Sequence, residues 1–336
     1  MSEVTPGTQI AEAQVRRFGE VMKRLREEIA KIIVGQDDVV DHLLVTTLVG
    51  GHCLITGLPG TAKTLMVKSL ADALGLTFKR IQFTPDLMPT DVTGTDVIEE
   101  DVTTGRRTWT FVPGPIFTHI LLADEINRTP PKTQSALLEA MQELSVTVRG
   151  HTYRLDPPFL VLATQNPIEL EGTYPLPEAQ LDRFIFNVVL DYLSAQEEEE
   201  VVKRNSVQMR FPTLQSCTNA EEIMCFQELV RQVPVSDDVY RYAVELVRAT
   251  RPHEDSASSL VKQYVNYGAS VRAAIYLTLG GKARALLNGR YHVERDDVNA
   301  LVMPVLRHRV LRNYHAEADG VEVEEILTEL VASLTI

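Results

Sequence analysis

The sequence predicts an α/β fold: a five-stranded parallel sheet between layers of helices, followed by an all-helical domain. Two observations predict it. Between residues 53 and 190, five short runs rich in apolar residues alternate with helical patterns, and buried parallel strands typically show such continuous runs. After Asp191 these runs stop, and apolar residues recur at the three- and four-residue spacing of helices.

The first predicted element is an amphipathic helix over residues 11–32, with its apolar residues on one face. A second helix is predicted to follow the turn at Ile33–Gln36 and to end near Val49. The five predicted strands are Cys53–Ile55, Phe78–Gln82, Ile120–Ala123, Phe159–Ala163 and Phe184–Leu190. The later predicted helices are residues 194–206, 219–232, 236–250, 268–288 and 295–310. We therefore divide the chain into an N-terminal helix, residues 1–30, an α/β core, residues 31–199, and a helical domain, residues 200–336.

Two insertions interrupt the predicted core. The segment Thr84–Phe117 contains an alternating stretch, Arg107–Val112, which predicts a β-hairpin. A second hairpin is predicted over Ser145–Leu155, with alternating residues around Gly150. Both insertions are longer than a compact fold requires, and long loops of this kind are often functional.

Composition limits the class of protein. The 336 residues include 33 Lys and Arg against 46 Asp and Glu, a net charge of −13, so we expect no general electrostatic binding to nucleic acid or to an anionic membrane. No apolar stretch reaches the length of a membrane span, and the N-terminus lacks a signal-peptide pattern, so we expect a cytoplasmic protein without membrane insertion. Three scattered cysteines predict neither a disulfide framework nor a zinc site.

A phosphate-binding loop is predicted between the first strand and the helix after it. Its residues, with the first helical residue, are Gly57, Leu58, Pro59, Gly60, Thr61, Ala62, Lys63, Thr64 and Leu65. Backbone N–H groups of such a loop and the positive end of the following helix bind anions. Lys63 is expected to reach the β- and γ-phosphates, and the Thr64 hydroxyl to bind Mg²⁺. Ala62 departs from the usual pattern, which has glycine before the lysine.

Two carboxylates follow the third predicted strand. Asp124 and Glu125 come directly after Ile120–Ala123, so they are expected at the ligand-binding edge of the sheet. Asp124 would organise Mg²⁺, and Glu125 would polarise the attacking water as a general base. The structural alternative is a pair of surface acids that cap the next helix. Because the Asn-Lys-x-Asp motif of GTP-binding proteins is absent, the sequence favours ATP.

Taken together, these motifs resemble those of the MoxR family of AAA+ ATPases. The residues that carry the resemblance are Gly57–Thr64, Leu121–Arg128, Ala163–Pro167 and Leu181–Phe184. The resemblance covers roughly residues 30–315, and in MoxR-like proteins an alanine before the loop lysine is usual. It implies an AAA+ P-loop domain followed by a helical lid. The two insertions resemble the helix-2 insert (about 84–117) and the pre-sensor-1 hairpin (about 145–155) of related AAA+ proteins.

The resemblance also implies roles for individual residues. Asn166 resembles sensor 1, which helps to place the lytic water. Arg183 resembles the arginine finger, presented to the nucleotide of a neighbouring subunit. Arg272 resembles sensor 2 on the lid, so Lys63, Asn166 and Arg272 would each sense the γ-phosphate. The stretch that resembles the adenine contact is Val34, Gly35 and Gln36.

The function implied by the resemblance is Mg²⁺-dependent ATP hydrolysis by a homo-oligomer, a hexameric ring as in similar proteins. Such ATPases act as chaperone-like remodellers of protein complexes, often with a von Willebrand factor A domain partner and a protein client. One alternative is a nucleic-acid motor that uses arginines on or beside the hairpins: Arg106, Arg107, Arg149 and Arg154. The acidic balance argues against it. A second alternative is a nucleotide-sensing scaffold without turnover, which the presence of Glu125 argues against.

Overall fold

The computed structural model describes residues 6–100, 107–168, 172–207 and 211–334. The helices in these ranges are α1 (Pro6–Ala30), α2 (Asp37–Val49), α3 (Lys63–Leu74), α4 (Pro89–Thr93), α5 (Pro131–Glu143), α6 (Glu178–Leu181), α7 (Ala195–Val207), α8 (Ala220–Gln232), α9 (Asp237–Ala249), α10 (Ser259–Tyr264), α11 (Val271–Leu287), α12 (Arg295–Asn299), α13 (Val302–Leu306), α14 (Tyr314–Asp319) and α15 (Val323–Leu334). The strands are β1 (Cys53–Gly57), β2 (Phe78–Gln82), β3 (Gly94–Glu100), β4 (Arg107–Pro113), β5 (Ile120–Asp124), β6 (Ser145–Val148), β7 (His151–Arg154), β8 (Leu160–Gln165), β9 (Phe186–Leu190), β10 (Val265–Tyr267) and β11 (Leu311–Arg312). None of the helices so described is long and apolar enough to cross a membrane.

The core of the molecule is a five-stranded parallel sheet with the strand order β2-β5-β8-β1-β9. All five residues of β5 are buried, as expected for a central strand covered on both faces. The prediction of a five-stranded parallel sheet is therefore confirmed. The order places β1, β5 and β8 side by side, so the residues that follow these three strands meet at one edge.

The N-terminal helix joins the two halves of the chain. The apolar face of α1, which includes Phe18 and Leu25, is buried, and the Phe18 ring packs edge-on against Phe226 of α8 at 5.2 Å between centroids. Burying a phenylalanine side chain contributes about 1.5–3 kcal/mol. Arg17 adds an ion pair with Glu222 at 2.8 Å. Because α8 belongs to the second half, α1 fixes that half against the sheet domain.

The second half is mostly helical, but the prediction that it contains no strands is wrong. Strands β10 and β11 form a short antiparallel sheet, which lies within the predicted all-helical domain. The two strands have three and two residues and are separated by more than forty positions. Strands this short carry no readable alternation, so only the tertiary fold pairs them.

The predicted helix over residues 295–310 is also wrong, since the structure has two short helices, α12 and α13, in its place. Pro304 explains the break. Proline has no N–H to donate to the carbonyl of Ala300, and its ring clashes with that carbonyl in a continuous helix. The proline is instead tolerated inside the first turn of α13, which begins at Val302.

Both predicted hairpins are confirmed, and they pack on each other. Strands β3 and β4 pair antiparallel within the predicted helix-2 insert, and β6 pairs with β7 in the predicted pre-sensor-1 hairpin. The Phe111 and Tyr153 rings stack at 4.0 Å between centroids, and the Arg149 guanidinium lies 4.0 Å from the centroid of Trp109. These contacts join the two hairpins into one unit, which we call the hairpin unit.

A buried histidine links the sheet to α5. His52 lies just before β1, where its Nδ1 accepts a hydrogen bond from the Val161 N–H at 3.0 Å and its Nε2 donates to the Met141 carbonyl at 3.1 Å. Both ring nitrogens are therefore satisfied in the neutral form. Burial lowers the pKa of His52 from its usual 6.5 to about 4.

This pKa predicts that the protein loses stability in mild acid. Between pH 6.5 and 4 the unfolded chain binds a proton at His52 that the folded chain does not, so the stability present above pH 6.5 is lost as the pH falls. At 1.36 kcal/mol per pKa unit, His52 alone lowers the free energy of unfolding by about 2 kcal/mol at pH 5. Denaturant unfolding at pH 7 and pH 5 measures the loss, which we expect to be smaller in His52→Gln than in the wild type. Equal losses in the two proteins would contradict the prediction.

Candidate functional site

The predicted phosphate loop connects β1 to α3 and curves around the start of that helix. Gly60 and Ala62 have left-handed backbone conformations, with φ of 84° and 59°. For Ala62 this conformation costs about 1–2 kcal/mol. The Thr61 hydroxyl donates to the Leu58 carbonyl at 2.8 Å and braces the turn. Because α3 begins at Lys63, its unpaired N–H groups and about half a positive charge lie at the loop.

A cavity of about 480 Å³ opens beside this loop, and we call it the polar cavity because charged and polar side chains, among them Lys63, Asp124 and Glu125, line it. The predicted site residues that line it are Pro59, Gly60, Thr61, Ala62, Lys63, Thr64, Leu65, Asp124, Glu125 and Asn166. They come from the carboxyl ends of β1, β5 and β8, which the sheet order places side by side. The fold therefore brings together residues separated by up to 107 positions in the sequence.

Lys63 lies over the loop with its charge directed at backbone carbonyls. Its Nζ donates to the carbonyls of Gly57 at 2.7 Å and Leu58 at 2.8 Å. Burial lowers the pKa of Lys63, while the carboxylates of Asp124 and Glu125 oppose that shift. A phosphate group in the cavity would offer this ammonium a stronger partner than two neutral carbonyls.

Asp124 is buried and has partners on both carboxylate oxygens. Oδ1 accepts from the Thr164 hydroxyl at 2.5 Å, and Oδ2 accepts from Arg80 Nη2 at 2.6 Å and Nε at 2.9 Å. Sequence reasoning missed Arg80, because a lone arginine in a predicted strand is usually a surface charge. Only the pairing of β2 with β5 places it beside Asp124.

Glu125 is held at the cavity by side chains from two directions. Its Oε2 accepts from Gln82 Nε2 at 2.7 Å and lies 3.3 Å from Arg128 Nε. Its backbone is left-handed, with φ of 55°, a strained conformation of the kind that clusters at functional sites. Its side chain makes no capping hydrogen bond to the turn that follows, so the helix-cap alternative is not observed. Sequence reasoning missed Gln82 as well, because nothing near it in the sequence marks a partner.

Asn166 lies at the end of β8 and is buried at the cavity wall. Its Oδ1 accepts from the Ile168 N–H at 3.3 Å, which orients the amide group. The side chain has both a donor and an acceptor, so it can orient a water molecule. Its role as sensor 1 stays a prediction.

A second, largely apolar cavity of about 500 Å³ adjoins the first, since Pro59–Ala62 and Leu65 line both cavities. Of the predicted adenine contacts, Val34 and Gln36 line it. Gly35 does not appear in the lining, and its left-handed φ of 65° serves the turn. The lining residues that sequence reasoning missed include Tyr192, Leu193, Val201, Val202 and Phe211. These residues belong to no motif, and they lie on or beside α7, far in the sequence from the phosphate loop.

The two predicted arginines lie apart from both cavities. Arg183 Nη1 donates to the Leu138 carbonyl at 2.6 Å, and Arg272 Nη1 donates to Asp182 Oδ2 at 3.1 Å. Within the described part of the chain, neither arginine lines the apolar or the polar cavity. The roles of Arg183 as arginine finger and of Arg272 as sensor 2 stay predictions.

The polar cavity has suitable ligands for Mg²⁺. The Thr64 hydroxyl and the Asp124 carboxylate line the same cavity, and hard oxygen donors of this kind are the ligands that Mg²⁺ prefers. An apolar cavity for a base beside a polar cavity for phosphates matches the chemistry of a nucleoside triphosphate. The residues present therefore fit ATP and Mg²⁺.

Comparison with known proteins agrees with this geometry. Residues 52–186 match the model of the ATPase family associated with various cellular activities (AAA), and residues 257–330 match that of the AAA lid domain. Chaperone MoxR1 of Mycobacterium tuberculosis is 42% identical over 315 residues, which cover 94% of this chain and 82% of that protein. The chain belongs to the MoxR family of AAA+ ATPases.

Two further relatives match this MoxR-family chain over nearly its whole length. The protein YeaC of Bacillus subtilis, itself uncharacterised, is 43% identical over 310 residues, which cover 92% of this chain and 93% of that one. The crystal structure of a candidate ATPase from Cytophaga hutchinsonii superposes with a TM-score of 0.90 at 41% identity, and the match covers 98% of each chain. The predicted fold, an AAA+ domain followed by a lid, is therefore confirmed.

Proposed function

We propose that this MoxR-family chain hydrolyses ATP between the subunits of a homo-oligomeric ring, a hexamer as in similar AAA+ proteins, and thereby remodels protein complexes. One observation carries the proposal. Arg272 donates to Asp182, the residue before Arg183, so the two arginines belong to adjoining segments, which we call the arginine edge, yet neither arginine lines a cavity of the site in its own chain. Arginines in this position would serve the nucleotide of a neighbouring subunit.

The chain's own residues supply the rest of the proposed mechanism. The base occupies the apolar cavity, and the phosphates lie on the loop, where Lys63 exchanges its carbonyl partners for phosphate oxygens. Thr64 and Asp124 would hold Mg²⁺, which neutralises phosphate charge when bound. Glu125 leaves Gln82 to accept a proton from the attacking water, and Asn166 orients that water.

Exposed apolar residues support a contact between unlike edges of two copies. Beside Arg272, the side chains of Tyr267, Val271 and Ile275 are 65%, 66% and 51% exposed. At the rim of the apolar cavity, Tyr192, Val202 and Phe211 are 71%, 65% and 50% exposed. A head-to-tail contact that closes into a ring would bury both patches and bring the arginines of one copy to the cavity of the next.

The hairpin unit is our proposed contact for a protein client. Ile98 and Trp109 are cross-strand neighbours and are 53% and 58% exposed, an apolar surface at the outer part of β3 and β4. Resemblance to the family further suggests a von Willebrand factor A domain partner. The hairpins would transmit motion of the nucleotide site to the client.

The nucleic-acid alternative receives less support. Arg107 pairs with Glu100 at 2.9 Å, and Arg149 lies over Trp109 and within 3.9 Å of Asp96, so two of the four arginines already have partners within the hairpin unit. Arg106 lies outside the described residues. A nucleic-acid motor would show salt-sensitive DNA binding that stimulates ATP hydrolysis.

The proposal predicts that the ATPase rate per subunit rises with protein concentration, because each site is completed by a neighbour.

Lys63→Ala is expected to weaken ATP binding roughly tenfold to a hundredfold, since it removes a charged hydrogen-bond donor worth about 1.5–3 kcal/mol. Titration with a fluorescent ATP analogue measures that loss. Lys68→Ala, one turn further along α3 and exposed, is the matched control and should bind normally. A specific activity that is independent of concentration would contradict the ring mechanism.

A further inference from the structure

One carboxylate connects the two predicted arginines to the body of the protein. Asp182, next to Arg183 in the chain, uses its two oxygens separately. Oδ2 faces outward and accepts from Arg272 Nη1 at 3.1 Å and from the Ser270 hydroxyl at 3.2 Å. Oδ1 faces inward and accepts from Arg309 Nε at 2.7 Å. Asp182 therefore links an exposed arginine to a buried one.

The buried arginine is fixed by many acceptors. The Arg309 side chain is 2% exposed. Besides Asp182 Oδ1, its guanidinium donates to four backbone carbonyls: those of Asp182 at 3.0 Å, Phe184 at 2.5 Å and Ile185 at 3.2 Å, and that of Val305. Three of these carbonyls belong to the segment that leads from α6 into β9 and carries Arg183, while Arg309 itself follows α13 of the lid. Arg309 therefore ties the arginine-bearing segment of the core to the lid.

Tyr276 adds a second tie at the same place. The Arg309 guanidinium lies 5.1 Å from the centroid of the Tyr276 ring, and the Tyr276 hydroxyl donates to the Arg183 carbonyl at 3.4 Å. Tyr276 lies on α11, the helix that carries Arg272 near its start. The backbones that carry the two predicted arginines thus share one set of buried contacts.

This arrangement lowers the cost of holding Arg272 in one position. An isolated surface ion pair contributes little, because two long side chains lose rotamer freedom to form it. Asp182 is already immobilised by Arg309, so only the Arg272 side chain, which is 46% exposed, has to be ordered. A fixed carboxylate beside a guanidinium also sets the orientation of its planar fork of N–H donors. A freely rotating arginine would have no such fixed orientation.

We propose that Asp182 is a positioning residue: held by Arg309, it fixes Arg272 beside Arg183 so that both arginines reach one phosphate group of a neighbouring subunit together. The inference rests on the proposed function, in which these arginines act between subunits. Asp182 itself contacts no nucleotide. Its loss would displace Arg272 while leaving the nucleotide cavity of its own chain unchanged, because Asp182 lines neither cavity of the site.

Mixed rings test the inference. Arg183→Ala subunits retain a nucleotide cavity but offer no finger, whereas Lys63→Ala subunits offer both arginines but bind ATP weakly. A mixture of the two regains activity if the arginines act between subunits. We expect Asp182→Asn, placed in the Lys63→Ala chain, to lower the regained kcat roughly tenfold to a hundredfold, the effect of a displacement of about 1 Å, with KM for ATP unchanged.

Placing Asp182→Asn in the other chain of the mixture distinguishes a loss of arginine positioning from a general defect in folding. In the Arg183→Ala chain, Asp182→Asn is expected to change the regained rate less than twofold, since the arginine edge of that subunit already lacks its finger. An equal loss in both placements, or no loss in either, overturns the role of Asp182. Absence of activity in the parent mixture overturns the proposed function instead. If Asp182→Asn does not fold, Asp182→Glu keeps the negative charge beside Arg309, and the same one-sided loss is expected.

Discussion

Arg183→Ala is expected to lower the rate of ATP hydrolysis roughly 10³–10⁵-fold, the range observed for arginine fingers that act between proteins. The physical reason is charge. Negative charge develops on the phosphate group in the transition state, and the guanidinium stabilises it only there. Steady-state kcat at saturating ATP and high protein concentration measures the effect. The Kd for ATP should stay near the wild-type value, because Arg183 does not line the cavity of its own chain.

The control for Arg183, which lies half-buried in the turn after α6, is an exposed arginine elsewhere on the surface. Arg231→Ala, near the end of α8, removes the same charge without touching the arginine edge and should retain wild-type activity. Activity that returns when Arg183→Ala subunits are mixed with Lys63→Ala subunits would assign the finger to the neighbouring site. A silent Arg183→Ala variant would instead make this residue a structural donor to the Leu138 carbonyl, and the mechanism between subunits would be wrong.

Glu125→Gln is expected to lower kcat roughly 10²–10⁴-fold, because an amide cannot accept the proton of the attacking water. The substitution is nearly isosteric, and the glutamine oxygen can still accept the hydrogen bond from Gln82 Nε2. ATP binding should therefore survive, and the variant should hold ATP without turning it over. Single-turnover hydrolysis and equilibrium binding on the same preparation measure the two properties separately.

A matched control for Glu125 lies at the end of α5. Glu143→Gln removes an exposed carboxylate of the same type and should leave both binding and turnover unchanged. Retention of the wild-type kcat by Glu125→Gln would contradict the role of general base. The chain would then fit better with the alternative of a nucleotide-sensing scaffold, despite its complete cavity.

The local sequence was sufficient to predict a feature wherever one short segment contains all the residues that cause that feature to form. The loop Gly57–Thr64 is readable because its glycines, its lysine and the helix after it are contiguous. The β6–β7 hairpin is readable because its alternation and its turn lie within about ten residues, and the alternating stretch Arg107–Val112 marks one strand of the other hairpin. The helix predicted over 295–310 failed although its cause is local, since Pro304 in its interior should have divided it.

Residues that contact the site from a neighbouring strand could not be predicted from the sequence. Arg80 and Gln82 lie on β2, forty or more positions before the carboxylates that they contact, and nothing near them in the sequence marks a partner. Strands β10 and β11 were missed for a similar reason, because each is too short to show a pattern alone. Pairing between distant segments depends on the order of strands and helices in space, and periodicity does not encode it.

The sequence by itself determined the class of fold, the phosphate loop and the two carboxylates at the end of β5, because contiguous residues carry each of these features. Only the tertiary structure decided which of the predicted site residues line one cavity and which lie apart from it. It gathered Lys63, Asp124, Glu125 and Asn166 around one cavity, since parallel strands end at a common edge. It separated Arg183 and Arg272 from that cavity, since Arg309 ties the segment before β9 to the lid and Asp182 joins Arg272 to that tie. A motif specifies the chemistry of a residue, whereas the packing of distant segments specifies which nucleotide the residue can reach.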